Sequence, residues 1–424
     1  MDFADGKIQT ALICKHSPKS TFVNSTLPTS LYLHIPFCKR RCFYCDFAIT
    51  TGGEKLKQEY VDALCQEITL TIAEIPPVAA LRTIFFGGGT PSLLTVSQVA
   101  QILETISTYF AIATDAEISL EANPGTVSLE SLRGYRQLGV NRISLGAQAF
   151  QQELLDLCGR GHSVSETYEA VDMLERAGFD NFSLDLISGL PNQTMADWKD
   201  SLREAIALQP THLSIYDLTI EEGTAFGKRY QAGDAPLPTD SRTVEMYIYA
   251  HDFLSASSYQ HYEISNYAKS GYQARHNLTY WHNQPFYGMG MGATSYLDRQ
   301  RIDRPQKIRP YLDAIAQWQI KRQAEPQAEG GRFTAPRISD VEELMDTLMQ
   351  GLRLAEGISL DSLRQRYGGE LRDRVVNCLE KYVSRGWVEF RSSSADNRVF
   401  LTIPDGWLFS DVAIADLYET LTAA

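Results

Sequence analysis

Residues 34–47 read HIPFCKRRCFYCDF, with Cys38, Cys42 and Cys45 spaced CxxxCxxC directly after a short β-rich run, Leu31–Ile35. Three thiolates on one short loop can close on one face of a metal cluster. A structural zinc site calls for four ligands, but position 47 is Phe and His34 lies inside the strand run. Three protein ligands to a four-iron cluster leave one iron open to a small molecule. The other four cysteines, Cys14, Cys65, Cys158 and Cys378, are isolated and read as small buried apolar residues. An odd total of seven, in a chain whose N-terminus lacks a secretory apolar segment, argues against a disulfide framework.

Outward from this loop the chain keeps a rhythm. Further β-rich runs follow at Thr83–Phe86, Glu117–Leu120, Arg142–Leu145, Phe182–Ile187 and His212–Tyr216, with a seventh at His261–Ile264. Between them, Leu56–Ile72, Val96–Tyr109, Ser165–Ala177 and Met195–Leu208 carry helical spacing. Strands alternating with helices predict an α/β fold with a parallel sheet and right-handed crossovers. Six or seven such units suit a partial (β/α), TIM-like barrel. Residues 1–29 read as a polar leader, 30–322 as the barrel with its extension, and 323–336 as a linker rich in Pro, Gly and charge. The remainder, 337–424, reads as a small C-terminal domain. It has helices at Val341–Leu354, Leu360–Tyr367 and Leu371–Arg385 and a winged-helix-like hairpin at Val388–Phe390 and Val399–Ile403.

The 424 residues carry 39 Lys and Arg against 52 Asp and Glu, a net charge of −13. That balance, and a C-terminal segment without a basic run, predict no nucleic-acid partner. No apolar run approaches the length of a membrane span, so the expected location is the cytoplasm, with any membrane contact peripheral.

Polar chemistry gathers at the predicted strand ends. Gly87, Gly88 and Gly89 in TIFFGGGTPS open the backbone to close approach of a ligand. Glu121 closes the third run, Gln148 the fourth and Asp185 the fifth, while Arg160 follows the fourth by a short helical turn. The carboxyl ends of parallel barrel strands are where ligands bind. Carboxylates suit hydroxyls and cations there, and an arginine suits a carboxylate.

The cysteine spacing resembles the radical S-adenosylmethionine (SAM) superfamily. The resemblance implies a [4Fe–4S] cluster on Cys38, Cys42 and Cys45, whose open iron takes the amino and carboxylate groups of SAM. It sets Tyr44 against adenine and brings Gly88, Gly89 and Thr90 to the SAM amino group. It places Glu121 on the ribose hydroxyls, with Gln148, Arg160 and Asp185 completing the pocket. Tyr32 and Thr219 are carried to the SAM site on the same grounds.

The likeness narrows further. YLHIPFC, FGGGTPS, EANPGT, GVNRISLGAQAF, DLISGLP and LMQGLRLAEGI are similar to the anaerobic coproporphyrinogen III oxidase-like family. Its oxidase branch carries a fourth cysteine where this chain has Phe47, together with a longer N-terminal extension. The chain therefore resembles the heme-chaperone branch, HemW; the alternative is an oxidase that decarboxylates coproporphyrinogen III. YEISNYAKSGYQARHNLTYW, residues 262–281, contains HNxxYW, similar to that branch's signature. On this resemblance His276 is the heme-iron ligand, with Tyr280 and Trp281 against the porphyrin. From the residues alone, a buried histidine bonded to a loop carbonyl would look the same. The implied partners are heme and heme-accepting proteins, membrane-associated respiratory proteins among them.

Overall fold

Six consecutive parallel strands make up most of a sheet that has nine strands among the described residues: β1 (Ser30–Ile35), β2 (Leu81–Gly88), β3 (Ile112–Ala122), β4 (Arg142–Gln148), β5 (Phe182–Ser188) and β6 (His212–Asp217). Each pairs with the next in order across the sheet. The computed structural model describes residues 27–75, 77, 79–325, 333–393 and 396–422. Most of the leader, and with it Cys14, lies outside the described residues, as do 326–332 of the expected linker.

Alternation along the strands explains the architecture. Leu31, Leu33 and Ile35, then Ile84 and Phe86, Ile118 and Leu120, Ile143 and Leu145, Leu184 and Leu186, and Leu213 and Ile215 all join one apolar core. The residues between them (Tyr32, Phe85, Glu121, Arg142, Ser144, Asp185, Ser214 and Tyr216) instead line an internal chamber. A period of two therefore sends apolar side chains outward under the helices and mostly polar ones into the lumen. TIM barrels fill this space with branched apolar layers; here it stays polar and partly open.

The covering helices are α1 (Glu54–Glu74), α2 (Val96–Tyr109), α3 (Leu129–Gln137), α4 (Gln152–Leu157), α5 (Val164–Arg176) and α6 (Met195–Ala207). Their starts are chemically marked. Thr95 with Gln98, Ser163 with Glu166 and Thr194 with Asp197 each exchange side-chain and backbone hydrogen bonds that satisfy free N–H groups of the first turn. These positions agree with the spacing of the sequence, whereas α3 and α4 are too short to stand out in it.

Past β6 the pattern changes. Helix α7 (Asp240–Ala256) leads into a tight hairpin of β7 (Gln260–Glu263) and β8 (Asn266–Ala268), and β8 runs antiparallel to β6. The seventh run is thus not another parallel barrel strand. Helix α8 (Arg275–Trp281) then holds the HNxxYW segment, and β9 (Tyr287–Met289) pairs parallel with β1 at the far edge. Helix α9 (Ile308–Ala324) extends into the stretch expected as linker.

The C-terminal residues build a second apolar cluster around Leu348, Leu379, Trp407 and Leu417. Helices at Asp340–Gly351, Leu360–Tyr367 and Gly369–Glu380 precede a hairpin of Val388–Ser392 and Asn397–Leu401, joined by the short strand Ile358–Ser359. A last helix, Ser410–Thr422, which the sequence did not announce, packs back on the first. The module meets the barrel through main-chain bonds from Ile264 N–H to the Arg353 carbonyl and from Ala355 N–H to the Tyr262 carbonyl, both 3.0 Å.

Candidate functional site: a thiol-lined cavity at the strand ends

The loop after β1 is clamped at both ends. Cys38 N–H donates to the Thr50 carbonyl at 3.0 Å, and Thr50 N–H to the Pro36 carbonyl at 2.7 Å. His34 Nε2 meets the Ala48 carbonyl at 2.9 Å, and Arg41 donates to the carbonyls of Cys45 and Phe47. Phe43 N–H reaches the Cys158 carbonyl at 2.9 Å, fastening the loop's middle to the end of α4. The three sulfurs consequently face a common cavity of about 390 Å³.

That cavity collects the predicted residues. Cys38, Cys42, Tyr44, Cys45, Gly88, Gly89, Thr90, Glu121, Gln148, Arg160, Asp185 and Thr219 all line it. Tyr32 does not. It lines the inner chamber instead, its hydroxyl 3.0 Å from His34 Nδ1, because its position in β1 lies deeper in the barrel than the loop. Sequence reasoning missed Asn123, Ser144, Tyr216 and Asp217, which also line the cavity. Asn123, Tyr216 and Asp217 stand at or just past strand ends, so the rule that singled out Glu121 could have found them.

Gly88 and Gly89 are required by space. Gly88 has φ +109°, and a Cβ there would sit 2.5 Å from the His34 ring. A Cβ on Gly89 would lie 2.8 Å from the Phe37 carbonyl oxygen, so a side chain would push the cysteine loop off β2. Gln148, at φ +68°, follows an irregularity in the β4–β5 register, which turns its side chain toward the cavity.

Arg160, 7% exposed, is the cavity's buried cation. It donates from Nη2 to the Gly146 carbonyl at 2.6 Å and to Asn123 Oδ1, and from Nη1 to the Tyr44 hydroxyl at 3.4 Å and the Cys42 sulfur at 3.7 Å. Thr90 Oγ1 lies 3.5 Å from the Cys38 sulfur and accepts from Asn123. Burial pushes the Cys38 thiol up and the Cys45 thiol up to about 11, so a bound metal would have to displace their protons. Burial, with Asp185 nearby, pushes Glu121 up to about 7, although Gly88 N–H donates to it at 2.9 Å. Asp185 is raised by burial against the pull of three serine hydroxyls and Arg142.

Three cysteine side chains of one loop, lining one cavity, suit an iron–sulfur cluster, which takes one thiolate per iron.

His276 is 1% exposed inside the barrel, beside the inner chamber rather than the thiol cavity. Its Nδ1 is 2.7 Å from Thr83 Oγ1 and its Nε2 2.7 Å from the Tyr280 hydroxyl, while its ring stacks on Phe85 at 5.0 Å. Glu117 accepts from the Arg275 and His276 amides, each at 3.1 Å, seating the start of α8. Burial, reinforced by Arg142, lowers His276 to about 3, so the imidazole is neutral.

Residues 32–205 match the family model of the radical SAM superfamily, and 338–395 that of the HemN C-terminal domain. The chain is similar to the heme chaperone HemW of Synechocystis, 40% identical over 93% of this chain and 97% of that one. It is also 34% identical to HemW of Bacillus subtilis, over 92% and 99% of the two chains. Among solved structures, coproporphyrinogen III oxidase of Escherichia coli superposes with a TM-score of 0.75 over 94% of this chain and 90% of that one. At 22% identity, that likeness speaks for the fold.

Proposed function

The chain belongs to the HemW family of radical SAM proteins, and from that premise we propose that it binds heme and hands it to acceptor proteins. In this reading a [4Fe–4S] cluster sits on Cys38, Cys42 and Cys45, and SAM lies beside it in the cavity. The observation that carries the cofactor assignment is the convergence of three thiols, one buried arginine and two glycine-exposed backbone units on a single cavity at the carboxyl ends of parallel strands. When bound, the cluster would offer SAM an open iron. Arg160 would orient the SAM carboxylate and Tyr44 would face the adenine. Glu121, Gln148, Asp185 and Thr219 would hold the ribose and the methionyl arm, with Tyr32 supporting them from the chamber below. Residues 30–322 are the cofactor-bearing unit in this scheme, and 337–424 a separate one.

Heme ligation by His276 belongs to the proposal in one form: ligand exchange. Both ring nitrogens carry hydrogen bonds, and the adjoining chamber of about 180 Å³ is smaller than ligand sites usually are. Tyr280 must leave Nε2, and α8 must open, before iron reaches the imidazole. Acceptors include membrane-associated respiratory proteins, and the work is done in the cytoplasm or at the membrane surface. No described helix is long and apolar enough to cross a membrane.

The test is anaerobic reconstitution with iron, sulfide and SAM, followed by hemin or coproporphyrinogen III in separate samples. The expected result is stable hemin binding, transfer of heme to an apo-acceptor and no protoporphyrinogen IX. Turnover of coproporphyrinogen III above a Cys42→Ser control would instead make the protein an oxidase.

A further inference from the structure

The inner chamber, of about 180 Å³, shares Glu121, Ser144, Asp185 and Tyr216 with the thiol-lined cavity above it. It also contains a charge that the cofactor reading leaves unused. Arg142, at the start of β4, is 2% exposed and lines the chamber. Its Nε has no partner, and among the described residues no ion pair or side-chain hydrogen bond engages the guanidinium.

The strand register aims it at the pocket. Glu121 on β3 lies opposite Ser144 on β4, and Ser119 opposite Arg142. Arg142 is therefore the diagonal neighbour of Glu121 on the lumen face, within reach of a long side chain. The other carboxylates nearby are engaged: Glu117 with the two amides of α8, and Asp185 with Ser144 at 3.0 Å and Ser183 at 3.2 Å. Glu121 keeps one oxygen on Gly88 N–H, and no described protein donor engages the other. The chamber is polar and large enough for water, which can carry the field of a buried arginine to that carboxylate.

We propose that Arg142 is a positioning residue for the SAM pocket: across the shared chamber its charge keeps the Glu121 carboxylate ionised, the form that accepts hydrogen bonds from ribose hydroxyls, and so sets the lower pH limit of SAM binding. The proposal rests on the reading of the larger cavity as the SAM site. The balance at Glu121 is close. Burial and Asp185 of β5 push it up to about 7, while the Gly88 amide of β2 and Arg142 pull it down. The other titratable groups at the chamber, Tyr32 of β1, Tyr216 of β6, and Tyr280 and His276 of α8, are neutral near pH 7. The other buried cation, Arg160, lines the cavity above together with Glu121, but its fork is committed to Gly146, Asn123, Tyr44 and Cys42.

The experiment measures SAM affinity of the cluster-reconstituted protein from pH 6 to pH 9, for wild type and for R142M, R142K and E121Q. Wild-type affinity should rise through about pH 7 and level off. In R142M that rise should move up by about one unit, costing about fivefold in affinity at pH 7. At pH 9 the loss should all but vanish, which also shows that the variant is folded. R142K should restore the wild-type profile, and E121Q should flatten it. An equal loss at every pH in R142M, or an unmoved profile, overturns the role of Arg142. Unchanged SAM affinity in E121Q would instead overturn the placement of the SAM pocket.

Discussion

The guanidinium of Arg160 donates toward the sulfur of Cys42 at 3.7 Å, linking a residue beyond β4 to the middle of the cysteine loop 118 positions earlier in the chain. The same fork also holds Gly146, Asn123 and Tyr44, so it braces the loop and neutralises developing thiolate charge together. Lysine, a point charge on a flexible stem, cannot span these acceptors. Arg160→Lys should therefore lower SAM affinity at least about tenfold while leaving the charge in place, and Arg160→Met should lower it further. Equilibrium binding on reconstituted protein measures both; wild-type affinity in the lysine variant would show that charge alone suffices.

Cys42→Ser should abolish the iron–sulfur absorption of reconstituted protein, with iron and sulfide content falling to background. Cys158 is fully buried and absent from the cavity wall, although its carbonyl holds the loop. Its serine variant should retain a full complement of iron. A cluster lost equally in both variants would bring Cys158 into the ligand set.

Gly89→Ala meets backbone, not a yielding side chain, at 2.8 Å. The loop must shift, at a stability cost of about 1–3 kcal/mol. SAM affinity should fall by more than thermal stability alone explains. A variant that melts normally and binds SAM normally would mean that the close approach is unimportant.

The exchange model for heme makes opposite predictions for two neighbours. Tyr280→Phe removes the hydroxyl that occupies His276 Nε2, so the Soret band in a hemin titration should grow at lower hemin concentration. His276→Ala should weaken or shift that band. Because His276 is held near 3 by burial, its ligation should not vary between pH 6 and pH 9. A spectrum unaffected by the histidine substitution would move the iron to another ligand.

Glu263 is fully buried on β7, where the C-terminal module docks, and burial raises it to about 7. The folded state thus binds this proton more tightly than the unfolded state, where the group titrates near 4.5. Its contribution is intact below about pH 4.5 and is lost as pH rises through 7. Glu263→Gln should be close to neutral at pH 5 and stabilising at pH 9, by up to about 3 kcal/mol from the linkage of one group. Thermal melts at the two pH values decide it; an equal shift at both would assign the effect to packing.

Much of the molecule is legible in the chain itself. CxxxCxxC sets three thiols on one loop because their spacing is covalent, and the alternation of β-rich and helical stretches fixes a parallel α/β sheet because period is a local property. The polar residues at strand ends, Glu121 and Gln148, follow from the same arithmetic. Asp185, expected to close the fifth strand, instead stands in the middle of β5 and reaches the cavity from the lumen face. Tertiary structure alone decided which groups meet. The bond from Thr83 to His276 joins residues 193 positions apart, and β9 reaches β1 from more than 250 residues away. It placed Tyr32 in the lumen rather than the thiol cavity, and Arg142 diagonal to Glu121. Such pairings depend on strand register and on how distant segments pack, and no window of sequence contains both partners.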